Sequence, residues 1–303
     1  MLSKKLITKA YFPILRAVAP FRENRHLYFN RNVPVYKFSN IQKKTSSTQS
    51  IEVEKKETPL SESISRDFGL GHFMTRIYKS TGGAIFSSLV TAQIIASTPF
   101  AADPFLMAVG AVAAYGGVFG VNWIKPEEVQ EKIEGKLLPV AKQPLSRKLA
   151  FGLLTVGMGT TMAPLVAIVQ AIDPMIFPMS IGISGLIFGG VTAYSYSKRL
   201  GTFSKWGPAL YGSLLGLIGL NVAGLVSLAI WGPTPVTQAF FSIEPYISIL
   251  LFSGFIAYDT HRAVEFYKAG KYDHFAHAVE LYLDFINILI EVMKILAKAK
   301  QKK

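Results

Sequence analysis

The hydrophobic residues of this chain fall into long intervals that are nearly free of charged side chains. A helix that crosses a bilayer needs about 20 mostly apolar residues, and these intervals reach or approach that length. We therefore predict an all-α polytopic membrane protein, a bundle of seven transmembrane helices. Segments one to seven are residues 80–102, 104–124, 149–172, 174–197, 206 to a turn at 232–235, 237–258 and 274–296.

The polar connections between these segments differ sharply in charge. The loops after segments two, four and six contain 12 Lys or Arg, whereas the loops on the other side contain none, only Asp103, Asp173 and Glu244. Such a split predicts that the basic loops and the N-terminus share one side of the membrane. The basic C-terminal residues break the pattern, so segment seven either spans the membrane or re-enters and returns; its length favours spanning. They are Lys294, Lys298, Lys300, Lys302 and Lys303.

Segments six and seven are distinguished by ionisable residues, which are expensive inside a membrane and usually functional. Asp259 and Asp284 are equidistant from a polar connection at Gly270-Lys271. An antiparallel hairpin turning there would bring both carboxylates to a similar depth, roughly 13 Å into each helix at 1.5 Å per residue. Two close carboxylates do not easily both ionise and so share a proton. The alternative is purely structural, with Asp259 capping its helix and Asp284 bonding a neighbour.

This aspartate pair predicts a pH-sensitive latch in an ion pathway. The protonated pair would tie the two segments together, and the ionised pair would repel itself and offer oxygens to a hard cation. Ca²⁺ prefers six to eight oxygens, so Asp259 and Asp284 are expected to bind it only transiently, as a transported ion and not as a resident cofactor. No other cofactor is expected.

A polar stripe on segment seven extends the candidate site. Its members recur at three- and four-residue spacing, which places them on one helix face, and such a face must point into the bundle. Segment seven is therefore predicted to be central, and three stripe residues are candidate auxiliaries, although solvation near the membrane surface is the expected role of the first two: His277, Glu280 and Asn287.

Composition and charge sharpen this picture. Charged residues make up 17% of the chain and its mean hydropathy is +0.33, which argues against a soluble globule. Most of the net charge of +13 lies in residues 1–50, which carry ten basic residues and one acid. This segment has the composition of a mitochondrial transit peptide; a basic tail on the cytosolic side of another membrane is the alternative. Residues 51–71 read as a polar linker, followed by the helical domain at 72–298 and the tail at 299–303.

Two motifs in segments six and seven resemble the C-terminal signature of the Bax inhibitor-one family. They are Tyr258-Asp259-Thr260 and the run from Leu281 to Asn287. Lys271-Tyr272-Asp273 and the mitochondrial-type leader are most similar to the family's growth-hormone-inducible, inner-membrane branch. The resemblance implies a seven-helix bundle with a central last helix, a di-aspartyl pH sensor at Asp259 and Asp284, Ca²⁺ leak or Ca²⁺/H⁺ exchange, cristae organisation and resistance to apoptosis.

The sequence therefore predicts a pH-sensitive Ca²⁺ pathway in the inner mitochondrial membrane, with the mature N-terminus in the matrix. Its expected partners are the lipid bilayer, Ca²⁺, H⁺ and other inner-membrane proteins, and no nucleic acid, because the apolar body has no broad basic field. A non-transporting scaffold that organises inner-membrane complexes remains the main alternative.

We do not expect an enzyme. The chain has no cysteine and none of the common phosphate-binding or hydrolase motifs. An intramembrane aspartyl protease would share Tyr258-Asp259, but its second motif, Gly-x-Gly-Asp, is replaced by Tyr282-Leu283-Asp284, and the triplet Pro208-Ala209-Leu210 precedes both aspartates instead of following them.

Overall fold

A computed structural model of the protein describes residues 59–301. The predicted transit segment, residues 51–58 of the linker and the last two residues of the tail lie outside this range. The described chain is helical apart from one hairpin and short connections. Its elements are α1 (Leu60–Arg66), α2 (Phe68–Ala96), α3 (Pro104–Trp123), β1 (Glu127–Ile133), β2 (Lys136–Lys142), α4 (Leu145–Ile172), α5 (Ile176–Ser197), α6 (Gly207–Trp231), α7 (Pro235–Lys268) and α8 (His274–Gln301), with a 3₁₀ turn at Ser204–Trp206 before α6.

The all-α fold class is confirmed, and α2 to α8 follow predicted segments one to seven in order. In the part of the chain that the structure describes, five helices are long and apolar enough to cross a membrane, namely α3, α4, α5, α6 with its preceding 3₁₀ turn, and α7. The predicted number of seven spans stays a prediction, because α2 and α8 carry more polar residues.

Helix α8 lies at the centre of the bundle. It packs against α2, α3, α4, α5 and α7, and every residue from 277 to 293 is buried. Two apolar clusters meet on it, one formed with α3 and α4 and one with α6 and α7. The predicted central position of the last helix is therefore correct.

The outer helices expose large apolar side chains, as a lipid-facing surface requires. Phe105 on α3, Leu186 on α5 and Leu250 on α7 are each 74–78% exposed. An aqueous surface rarely carries such contiguous apolar area, whereas hydrocarbon solvates it. The bundle therefore has apolar side chains both in its core and on its outer surface.

Glycines allow close helix packing at only some of the positions where their spacing would permit it. Of the six glycines in Gly116/Gly120, Gly185/Gly189 and Gly212/Gly216, which are spaced for small-residue packing, only Gly120 has a neighbour within 4 Å of an added Cβ. The closest approach of a glycine to the backbone of another helix joins α3 to α4. A Cβ on Gly117 would lie 2.4 Å from the backbone N of Leu154, and one on Gly157 would lie 2.4 Å from that of Ala114.

The polar loop between α3 and α4 contains a β-hairpin that we did not predict. Its strands β1 and β2 pair antiparallel, with Ile133 opposite Lys136. The two turn residues, Glu134 and Gly135, both have positive φ, at 48° and 83°, which is the type I′ geometry that matches the twist of a hairpin. The hairpin is held to the bundle by an ion pair of 2.8 Å between Arg76 on α2 and Glu131.

Residues 60–71, which we predicted to be part of a polar linker, are helical. Leu60 is fully buried, and its backbone N donates to Lys198 O at the end of α5. Asp67 then starts α2 by accepting hydrogen bonds from the backbone N of Gly69 and Leu70. The helical domain therefore begins about twelve residues before the predicted boundary.

Candidate functional site

The last two helices form an antiparallel hairpin whose turn lies where the sequence predicted it. Helix α7 ends at Lys268, and Gly270 adopts a left-handed φ of 77°. The backbone N of Gly270 donates to Tyr267 O and that of Lys271 to Phe266 O, both at 2.9 Å. This pattern is a Schellman motif, which needs a left-handed residue and so favours glycine.

Asp259 and Asp284 lie at similar depths on the two arms of this hairpin. Asp259 precedes the end of α7 by nine residues and Asp284 follows the start of α8 by ten, or roughly 14 Å in each case. Their exposed fractions are 1% and 0%. The structure thus places both aspartates inside the bundle, on directly packed helices and at the similar depth that a hairpin predicts.

Polar contacts fix the segments on either side of the two aspartates. Next to Asp259, Thr260 Oγ1 lies 3.4 Å from Tyr78 OH on α2, and His261 Nε2 lies 3.0 Å from Ser195 O on α5. Two residues before Asp284, Tyr282 OH lies 2.5 Å from Ser88 Oγ on α2. The carboxylates are therefore carried by backbone that is anchored to neighbouring helices on both arms.

His277 and Glu280 are buried, so the expectation that solvent surrounds them is wrong. Their exposed fractions are 4% and 5%, and His277 Nδ1 lies 3.3 Å from Glu280 Oε2. The rings of Phe73 and Phe266 pack at the edge of the imidazole, at centroid distances of 6.1 and 5.3 Å. The predicted segment lengths placed His277 and Glu280 near the membrane surface. They are buried because α2 and α7 extend past the predicted spans and pack over them.

Asn287 is buried as predicted, but it bonds within its own helix. Its Nδ2 donates to Leu283 O at 2.7 Å, and its residue is 2% exposed. The polar stripe of α8 is thus buried along its whole length. Among residues 59–301, no group of three or more His, Asp or Glu side chains is arranged to hold a metal ion.

Sequence reasoning missed a buried arginine that ties the turn of the hairpin to the rest of the bundle. Arg147, at the start of α4, makes a bidentate pair with Asp273 at 2.7 and 2.6 Å. Its Nε donates to Val121 O at the end of α3, and its Nη1 donates to Gln143. Asp273, immediately before α8, belongs to the Lys271-Tyr272-Asp273 motif. Its partner Arg147 lies 126 residues away, and no local sequence pattern indicates the pair.

A second buried charged cluster lies at the far end of the same helix pair. Lys294 Nζ lies 2.8 Å from Glu291 Oε1 and 3.6 Å from Glu244 Oε2. Glu244, which was predicted to lie in a loop, and Glu291 are 2% and 0% exposed. The hydrophobic residues on either side of each glutamate in the sequence could have indicated this burial.

The C-terminal end of α8 lies beside the loop between α4 and α5. Lys300 Nζ is 2.7 Å from Asp173 Oδ2. This hydrogen bond, together with one from the backbone N of Met175, lowers the pKa of Asp173 below its usual range. Because α8 is one continuous helix that reaches this end of the bundle, it does not turn back as a re-entrant segment would.

These features define a polytopic helical membrane protein with a central, polar last helix. The sequence model of the family described as "Inhibitor of apoptosis-promoting Bax1" matches residues 70–301. The chain therefore belongs to the Bax inhibitor family, as its C-terminal motifs indicated.

Individual relatives match between about a third and three quarters of the chain. Human Bax inhibitor 1 is 23% identical over 235 residues, which cover 76% of this chain and 89% of the human protein. A protein of Vibrio cholerae described as an uncharacterized membrane protein is 26% identical over 73% of this chain and 88% of its own length. Mouse protein lifeguard 4 is 32% identical over 38% of this chain and 44% of its own length.

Proposed function

We propose that this protein conducts Ca²⁺ across the inner mitochondrial membrane, as a pH-sensitive leak channel or a Ca²⁺/H⁺ exchanger, and that Asp259 and Asp284 form its gate. The observation that carries the proposal is the burial of two aspartates at matching depth on the packed α7–α8 pair. Buried carboxylates in a membrane bundle are costly and are usually kept for ion or proton pathways.

The gate works through the sharing of a proton. With one proton between them, the two carboxylates attract each other and hold α7 and α8 closed. When that proton leaves, the two negative charges repel across a low-dielectric interior, where Coulomb energies are large. The helices then separate locally, and the carboxylate oxygens assist the passage of a hard divalent cation, with water and backbone carbonyls completing its coordination.

The anchoring contacts support local movement of this kind instead of a rearrangement of the whole bundle. Tyr282, two residues before Asp284, contacts α2, and His261, two residues after Asp259, contacts α5. Their neighbours therefore keep α7 and α8 in register while the side chains at the gate exchange a proton for a cation.

The mitochondrial assignment rests on charge. Residues 1–50 combine ten basic residues with one acid, as in a transit peptide. In the structure, the loops after α3 and α7 meet through the Arg147–Asp273 pair, and the loop after α5 meets the last turns of α7, where Ser204 Oγ donates to Glu265. A basic end of this kind faces the matrix in the proposed topology.

Purified protein in liposomes with an imposed proton gradient tests the proposal. Ca²⁺ entry is followed with a trapped indicator dye, and the internal pH is followed with a second dye. An exchanger moves protons against Ca²⁺ in fixed ratio, and a channel passes Ca²⁺ without proton counterflow. Asp284→Asn should abolish the flux, and Asp173→Asn, a carboxylate outside the helices, should leave it intact.

The scaffold alternative predicts a different outcome of the same experiment. A protein that only organises membrane complexes passes no Ca²⁺ above the rate of empty liposomes at any pH. If Asp284→Asn abolishes flux but leaves cristae and partner binding intact in cells, transport and scaffolding are separate properties of the chain, and both belong to it. Absence of flux in the wild-type protein would contradict the proposal.

A further inference from the structure

Lys294 is held between two buried glutamates inside the bundle. Its Nζ lies 2.8 Å from Glu291 Oε1 and 3.6 Å from Glu244 Oε2. The side chains of the two glutamates are 1% and 3% exposed, and that of Lys294 is 12% exposed. Charges with so little access to water persist only when they are paired, so the ammonium group neutralises carboxylates that the bundle would otherwise not tolerate.

This cluster lies on the same two helices as the aspartates, further from the turn. Lys294 follows Asp284 by ten residues, and Glu244 precedes Asp259 by fifteen, or roughly 15 and 22 Å along the helices. A cation that moves along the α7–α8 interface from the aspartates towards the far end of the bundle would therefore meet this cluster.

The oxygens around the ammonium group resemble the surroundings of a bound cation. Ser248 Oγ donates to Glu244 Oε1 at 3.0 Å, and Glu291 Oε2 accepts no hydrogen bond within the described range. The neighbouring Lys298 donates to the carbonyl of Phe241, one turn before Glu244. The two carboxylates and the hydroxyl that donates to one of them are hard oxygen groups of the kind that Ca²⁺ prefers.

We infer that Lys294 is a tethered cation, which fills a cation site formed by Glu244 and Glu291 and keeps divalent cations out of it. The ammonium group supplies one positive charge beside the two carboxylates, and it cannot leave, because it is covalently attached to α8. A divalent ion that enters must displace it and overcome its repulsion. Lys294 therefore sets a barrier at the end of the interface opposite the turn.

This inference extends the proposed function, because the barrier is placed on the proposed pathway. Its primary test measures binding and not transport. If Asp284→Asn leaves the flux unchanged, the proposed pathway fails, but the prediction that Lys294 occupies a cation site is still tested independently.

The first test removes the ammonium group. Lys294→Gln should lower the midpoint temperature of the detergent-solubilised protein in a Ca²⁺ chelator, because it removes the ammonium group that lies beside both buried carboxylates. Added Ca²⁺ should then raise the midpoint by several degrees, since a ligand that binds the folded state stabilises it. Lys300→Gln, which removes an exposed lysine of the same helix, is the matched control and should gain no such response.

Two further variants confine the response to the cluster. The gain should disappear in Lys294→Gln/Glu291→Gln, which lacks one of the two carboxylates. It should persist in Lys294→Gln/Asp284→Asn, because the aspartate gate is a separate site. A response that disappears with Asp284→Asn and persists with Glu291→Gln would overturn the inference.

A chemical test uses the absence of cysteine from the chain. Lys294→Cys provides a unique thiol. The unmodified cysteine variant should bind Ca²⁺ as the Lys294→Gln variant does. Attachment of an ethylammonium group through a methanethiosulfonate reagent restores a positive charge and should abolish that binding, whereas a neutral methyl reagent should not. Equal effects of the two reagents would contradict a charge-based role.

Failure of Lys294→Gln or Lys294→Cys to fold without Ca²⁺ is also informative. The variants are then purified in Ca²⁺ and transferred to chelator, and loss of monodisperse protein only after transfer is the expected result. Variants that cannot be purified in either condition, or that ignore Ca²⁺ entirely, overturn the inference, because the vacated site then has no affinity for a divalent cation.

Discussion

The guanidinium group of Arg147 links four parts of the protein at one end of the bundle. It contacts Val121 at the end of α3, Gln143 after β2 and Asp273 at the start of α8, while Arg147 itself lies in the first turn of α4. Its residue is 1% exposed. A planar, bidentate cation is suited to this role, because it satisfies several fixed acceptors at once.

We predict that Arg147→Lys destabilises the protein although it keeps the charge. Lysine cannot reproduce the bidentate pair with Asp273 or the bond to Val121 O, so the free energy of unfolding should fall by about 2–4 kcal/mol, less than full loss of a buried pair because Asp273 is partly exposed. Denaturant unfolding in detergent, followed by tryptophan fluorescence, measures the change.

The matched control for Arg147→Lys is Arg76→Lys. Arg76 pairs with Glu131, and their side chains are 28% and 51% exposed. Such surface pairs contribute about 0–1 kcal/mol. Equal losses from the two variants would show that burial of the guanidinium group is not what makes Arg147 important.

At the scale of elements, the close contact between α3 and α4 depends on glycines, because a residue without a side chain lets the two backbones approach each other. Gly117 and Gly157 each leave room for the backbone of the opposite helix, and a Cβ at either position would lie 2.4 Å from a backbone N. Close backbone approach of this kind is a common way to pack helices in membranes, where apolar side chains gain little by leaving lipid.

Gly157→Ala should therefore destabilise the bundle, by about 1–3 kcal/mol for overpacking. The matched control is Gly185→Ala on α5, where nothing lies within 4 Å of an added Cβ. There the change should be neutral or stabilising by up to about 1 kcal/mol, because alanine is the better helix former. Thermal unfolding in detergent compares the two, and a loss in Gly185→Ala as large as that in Gly157→Ala contradicts the packing account.

The elements differ in how far the sequence predicts them. Charge-free intervals predict α2 to α8 well, because a membrane helix must be apolar over a fixed length, and Gly270 marks the turn because a Schellman motif needs positive φ. The hairpin was missed although Glu134-Gly135 is compatible with its tight turn, since highly polar strands have little hydrophobic alternation. The glycine contacts could not be predicted, because the sequence does not say which face of a uniformly apolar helix meets its neighbour.

At the scale of the whole molecule, the two ends of the bundle carry different kinds of contact. The end with the α7–α8 turn has the hairpin, Arg147 and the basic loops, and the other end joins Lys300 of α8 to Asp173 between α4 and α5. The candidate site could be predicted in part, because Asp259 and Asp284 are ionisable residues in apolar segments. Lys294 was taken as part of a basic tail, because only the folded bundle shows that it is buried.

The Asp173–Lys300 pair predicts a pH dependence of stability. Because the pKa of Asp173 is lowered in the folded state, its contribution is present above the unfolded pKa, about 3.9, and is lost as the pH falls through the lower folded value. The midpoint difference between wild type and Lys300→Gln should therefore be small at pH 7 and should vanish in acid. Lys132→Gln, on the exposed strand β1, should show no such trend, and a difference that grows in acid would contradict the assignment.

The initial rate of Ca²⁺ entry into proteoliposomes, measured as a function of pH, tests the central claim most directly. For the wild-type protein, the rate should rise with pH as the aspartate pair loses its shared proton. For Asp284→Asn the flux and its pH dependence should both be lost, with Asp173→Asn behaving as wild type. A wild-type rate that ignores pH, or an Asp284→Asn rate that matches it, would contradict the account.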